Sequence, residues 1–170
     1  IWPALFARAT LGPPPRFQRE RWETPDGDFI DVDRCGDAEH PDAPLLVLFH
    51  GLEGSSGSAY VLAFAQSARA LGWRFAIPHF RGCSGSINRL ARAYHSGDHA
   101  EIDWILRRFR SEVDAVGAPL VAAGISLGGN AVMRWAGEHG ASARRVVDAL
   151  AAVSAPLDLR AGGLAIGRGF

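Results

Sequence analysis

An apolar run that halts at a serine between two glycines and continues as a helix limits what this chain can fold into more than any other stretch. The run is Leu120 to Ile125, the serine is Ser126, and a helical pattern follows from Asn130 to His139, closed by Gly140. Gly124 and Gly128 complete the spacing G-x-S-x-G, which predicts a nucleophile elbow. In such a strand-to-helix turn the serine takes strained backbone angles, and side chains two residues to either side would collide. The serine oxygen then stands clear of the backbone at a helix N-terminus, where free N–H groups favour developing negative charge. With 20 glycines in 170 residues the spacing alone carries little weight. The strand before it and the helix after it decide the reading.

The rest of the chain supplies similar units. Leu45 to Phe49 is a continuous apolar run, as expected of a strand buried on both faces, and it ends in His50-Gly51-Leu52-Glu53-Gly54. Tyr60 to Leu71 has helical spacing and stops at Gly72; Trp73 to Ile77 is another buried strand, leading into His79-Phe80-Arg81-Gly82-Cys83-Ser84-Gly85. Asp98 and Glu101 form a D-x-x-E capping signal for a helix whose apolar face is Ile102, Ile105, Leu106, Phe109 and Val113, with Arg107, Arg108 and Arg110 as a solvated flank. Val146 to Val153 reads as a last strand ending at Ser154-Ala155-Pro156, and the glycine-rich remainder is ambiguous. Near the start, alternating segments around Pro25-Asp26-Gly27-Asp28 predict an antiparallel hairpin. Residues 1–18, with Gly12-Pro13-Pro14-Pro15, read as an arm before a single domain over residues 19–170.

Strands alternating with helices of this length give an α/β fold: a mostly parallel sheet with helices on both faces and the hairpin as its antiparallel part. Ligands on such sheets bind beyond the carboxyl ends of the strands. The unusual loops, His50 to Gly54, Arg81 to Gly85, the turn at Ser126, and Ser154 to Pro156, all fall at those ends.

A formal net charge of zero, with all 18 basic residues being arginine, gives no basic stripe for nucleic acid. No apolar run is long enough for an integral membrane segment. Cys35 and Cys83 suggest neither a disulfide framework nor a zinc site, so a reducing, cytoplasmic setting is expected. His95 and His99 are four apart but lie in a predicted loop without further ligands, so no metal and no cofactor is expected.

Acyl transfer by Ser126 needs two oxyanion donors, for which the N–H groups of Leu127 and Leu52 are the natural candidates, and a base. His50 and Gly51 are expected to support the oxyanion loop. The only histidine after Ser126 is His139, at the far end of the following helix. Asp148 falls at the wrong end of a strand, and Asp158 reads as a turn or cap residue. The residues alone therefore identify neither the triad acid nor its histidine.

HGLEGSSGSAY, HFRGCSGSINR, RAYHSGDHAEIDW, GISLGGN and VSAPLDL, in that order, resemble the YheT-like branch of α/β-hydrolases, over nearly the whole chain. The resemblance implies a serine hydrolase of carboxylic, acyl or lipid-like esters, with a small-molecule ester as its partner. Ser126 would be the nucleophile and Leu52 and Leu127 the donors. It further implies a piece truncated at both ends, lacking the last strands, the cap, the acid and the histidine, inactive alone, and with Val146 to Val153 left as an open, aggregation-prone edge. An acyltransferase on the same scaffold, or a non-catalytic binding protein should the chain end at Phe170, are the alternatives.

Overall fold

A computed structural model describes residues 13, 15–36 and 40–167. Most of the expected arm lies outside them. The chain forms β1 (Gln18–Glu23), β2 (Phe29–Cys35), β3 (Leu45–Phe49), α1 (Ala59–Ala70), β4 (Arg74–Pro78), α2 (His99–Asp114), β5 (Leu120–Ile125), α3 (Leu127–His139), a 3-10 turn (Gly140–Arg145), β6 (Ala149–Val153) and α4 (Leu159–Gly167). The expected alternation of strands and helices is borne out. The last strand begins later than the apolar pattern suggested, because Val146 and Val147 are buried at the exit of the 3-10 turn.

The six strands form one sheet in the order β1-β2-β4-β3-β5-β6. The β1–β2 hairpin is antiparallel, with Trp22 opposite Ile30, and β2 joins β4 antiparallel; the other pairings are parallel. Alternation along β3 sorts its side chains to two cores. Leu45, Val47 and Phe49 meet Ile102, Ile105, Phe109, Val132 and Trp135 of α2 and α3, while Leu46 and Leu48 meet Val61, Ala65 and Ala68 of α1. A run with no polar position is what a strand covered on both faces requires. β6 is the far edge, pairs only with β5 and is exposed except at Leu150.

After β3 the chain moves to one side to form β4, then crosses to the other side to form β5. The crevice at the carboxyl ends of β3 and β5 is therefore the switch point of the sheet. Parallel register sets Phe49 beside Gly124, so the segments beginning at His50 and Ser126 leave the sheet side by side.

Two expectations about α2 are corrected. Asp98 is its N-cap residue, but its side chain makes no capping hydrogen bond. Both carboxylate oxygens accept from Arg92 at 2.7 Å, and Glu101 is drawn to Arg81, so ion pairing outcompetes the capping box. Of the three arginines, Arg107 and Arg108 are exposed as a solvated flank should be, and Arg110 is the exception. Arg107 pairs with Asp103, Arg108 lies 4.3 Å over the Trp22 ring, and Arg110 reaches Asp148 and the Ala118 carbonyl.

Arg81 is a buried keystone. Its guanidinium donates to Glu101 at 2.7 Å, Asp28 at 3.0 Å and Asp26 at 3.2 Å, joining the hairpin turn, the loop after β4 and the start of α2. Removing the cation leaves the buried Asp28 without an ion-pair partner and Glu101 with only Arg92 at 3.8 Å, and that penalty exceeds the modest net worth of a paired ion cluster. Arg81→Met should cost about 3 kcal/mol of stability, measured as a lower urea midpoint at unchanged slope.

Candidate active site

Ser126 sits between β5 and α3 at φ 52° and ψ −113°, a conformation rarely adopted by a residue with a side chain. Backbone bonds hold it there: its N–H donates to Val153 O at 2.9 Å and its carbonyl accepts from Asn130 N at 3.0 Å. A methyl group on Gly124 would overlap the Gly128 carbonyl and approach Gly129 N to 2.7 Å. On Gly128 it would overlap the carbonyls of Phe49 and His50. The first glycine thus allows the reversal, whereas the second lets α3 rest on the end of β3. Gly129, not singled out in the sequence, has the same need: a Cβ there would lie 2.9 Å from Gly124 O.

The chain leaving β3 turns back at once. Gly54 N–H donates to Gly51 O at 3.0 Å, and Glu53 has φ 53° while Leu52 is not among the residues with positive φ. This is the pattern of a type II turn with Leu52 and Glu53 at its centre. Gly51 lies against the serine, since a Cβ built on it would be 3.4 Å from Ser126 Cβ.

His50 fixes this turn from below. The buried ring accepts the Phe80 N–H at Nε2, 3.0 Å, so the neutral ring carries its proton on Nδ1 and donates it to Gly51 O at 2.7 Å. Gly51 O thereby accepts from both His50 and Gly54. In a trans peptide the N–H points opposite the carbonyl, so anchoring Gly51 O sets the direction of Leu52 N–H. Neither Leu52 N–H nor Leu127 N–H is taken up by another group among the described residues.

The chain contains two tyrosines, and both bind this turn. Tyr60 Oη accepts Gly51 N–H at 3.0 Å; Tyr94 Oη accepts Glu53 N–H and donates to Glu53 Oε1, each at 2.9 Å. The sequence reading passed over them. Both lie in segments that carry the family resemblance, HGLEGSSGSAY and RAYHSGDHAEIDW, but their spacing assigns them no role, and only the fold brings residues 60 and 94 to residues 51–53.

The other titratable groups have structural partners. His79 Nε2 lies 2.9 Å from Asp33 Oδ2, and Asp33 also accepts from Arg19 and Ser56. Burial opposes ionisation of Asp33, yet these bonds outweigh it and hold the carboxyl well below its usual range. His139 packs on Trp135, with Nε2 3.1 Å from Asp103 Oδ1. Asp148 accepts Leu120 N–H at 2.8 Å, and Asp158 accepts Ala161 N–H at 2.8 Å as the cap of α4. Among the described residues no side chain hydrogen-bonds Ser126 Oγ, and no cluster of three or more His, Cys, Asp or Glu could hold a metal ion.

Residues 44–165 match the family model described as the alpha/beta hydrolase fold. The chain belongs to this family. Within it the chain is 40% identical over 171 residues to "Putative esterase YheT" of Escherichia coli (strain K12), covering 99% of this chain and 48% of that protein. It is 29% identical over 137 residues to "Phospholipase ABHD3" of Mus musculus, covering 77% of this chain and 33% of that one. The chain thus spans about half or less of the length of these relatives. Among solved structures, Est1E from Butyrivibrio proteoclasticus, with ferulic acid bound, superimposes with a TM-score of 0.64 at 21% identity, over 80% of this chain and 52% of that one. That likeness is one of fold. The recognition of a YheT-like α/β-hydrolase and of its mostly parallel sheet is borne out.

Burial pushes His50 down from 6.5 to about 4. The unfolded chain then binds more protons than the folded one between those values, so stability falls as pH drops through that window. Urea midpoints measured from pH 7 to pH 4 should fall more steeply for this chain than for a His50→Asn variant, which keeps a donor toward Gly51 O but cannot titrate. The difference should reach the order of 3 kcal/mol at the acid end.

Proposed function

We propose that Ser126 is the nucleophile of a serine hydrolase that cleaves carboxylic esters of the acyl or lipid-like class. The observation that carries this reading is a serine at φ 52° opening α3, with the unengaged N–H groups of Leu52 and Leu127 beside it. A helix N-terminus and two backbone donors serve an oxygen that becomes negative as the carbonyl carbon turns tetrahedral. Names such as esterase and phospholipase among similar proteins support an ester substrate.

In this reading Ser126 Oγ adds to the ester carbonyl as a base takes its proton, and the carbonyl π electrons move onto the oxygen facing Leu52 and Leu127. Collapse of this intermediate breaks the bond to the alcohol, which leaves with a proton. Water then repeats the sequence on the acyl-serine, releasing the acid and restoring the serine. His50, with both nitrogens committed to backbone groups, orients the turn and moves no proton.

Two measurements test the proposal in the protein that carries this chain. A fluorophosphonate should label the folded wild type and leave Ser126→Ala unlabelled; a folded wild type that stays unlabelled removes the nucleophile. Leu52→Pro separates donor from fold. Proline suits the second position of a type II turn and Leu52 is 67% exposed, so the ring fits while the N–H is lost. The expected result is unchanged thermal stability with kcat reduced about 100- to 1000-fold.

A further inference from the structure

We propose that Tyr94 is a positioning residue, whose phenol locks the Leu52–Glu53 peptide in the orientation that a type II turn requires and so steadies the turn whose first peptide, anchored at Gly51 O, carries Leu52 N–H. This rests, for its catalytic part, on the serine-hydrolase reading. Types I and II of such a turn differ by a flip of the central peptide, the one joining its second and third residues. Type II demands φ > 0 at the third, a place for glycine or asparagine, yet here stands Glu53 at φ 53°. The sequence therefore opposes the turn that the backbone makes, and something outside the turn must hold it.

Tyr94 supplies that hold at the group that distinguishes the two forms. The N–H it accepts, at 2.9 Å, belongs to the central peptide; after a flip the Leu52 carbonyl would face the phenol oxygen instead. The phenol proton is given to Glu53 Oε1 at 2.9 Å, so the residue under strain is held by both its backbone and its side chain. The tyrosine is itself fixed. Its ring stacks on Phe80 at 5.1 Å and an interplanar angle of 4°, and Phe80 in turn meets the edge of His50 at 4.7 Å. A column from His50 through Phe80 to Tyr94 thus bounds the turn, His50 holding its first carbonyl and Tyr94 its central N–H.

A simple tether of the loop before α2 would also lose a bond on mutation, so the test is a cycle with glycine at the strained position. Tyr94→Phe keeps the stacking and removes only the hydroxyl. In the Glu53 background it should slow fluorophosphonate labelling of Ser126 and lower kcat about fivefold while KM stays within about twofold. In a Glu53→Gly background, where positive φ costs nothing, the same change should alter both by less than about twofold. Hydrogen exchange at the Glu53 amide should rise about tenfold in Tyr94→Phe, a readout independent of acyl transfer. A loss of equal size in both backgrounds, no loss in either, or an unchanged Glu53 amide overturns the proposal. If the wild type is not labelled at all, the nucleophile assignment falls, and the Glu53 amide still decides whether Tyr94 locks the turn.

Discussion

The contact on which the rest of the site depends is between backbones: the first turn of α3 against the carbonyls of Phe49 and His50. No side chain fits between them, which is why Gly128 is there. From that contact follow the depth at which α3 meets the sheet, the reversal at Ser126 and the closeness of Gly51 to the serine. The same approach seats the turn that begins at Gly51 against a serine distant in sequence. Strain at Ser126 and Glu53 is the local cost, of order 1 to 3 kcal/mol each, and it is offset by hydrogen bonds that leave these residues little choice.

Around this contact the protein joins buried charged groups to partners that reach the surface. Arg81 with Asp26, Asp28 and Glu101, and Asp33 with Arg19, His79 and Ser56, lie under the loops that border the serine. His50 differs in being held neutral by burial, its ring acting as a rigid spacer between two backbone groups. Thus the negative charge expected on a reacting oxygen would meet oriented dipoles, with no imidazolium beneath them.

Much of this was legible in the sequence because it depends on local pattern. The buried strands at Leu45 and Leu120, the hairpin around Asp26-Gly27 and the elbow glycines each rest on spacing over a few residues. What escaped depends on partners that only the loops and the fold bring together. Asp98 and Glu101 have the spacing of a capping box, but nothing nearby showed that Arg92 and Arg81 would take their carboxylates. Arg110 looked like a surface residue until β5 and β6 brought the Ala118 carbonyl and Asp148 to it. The roles of both tyrosines, though not their motifs, escaped for the same reason. Tyr60 lies on the face of α1 that meets the turn at Gly51, and Tyr94 comes from a loop with no regular structure.

The reach of the Arg81 cluster bears on how the fold forms as well as how it lasts. Arg81 bonds Asp28 across 53 residues, and Arg89 reaches Glu23 across 66. Closing loops of that length before any reward is slow, whereas the β1–β2 hairpin and the unit from β3 through α1 to β4 join neighbours. An ion cluster that needs the hairpin, the β4 loop and α2 all in place belongs to the end of folding. Its contribution should therefore appear in the rate at which the native state opens, with little effect on how fast it is reached. The loops beside Ser126 are held by a latch that closes last and, once closed, governs how long the site survives.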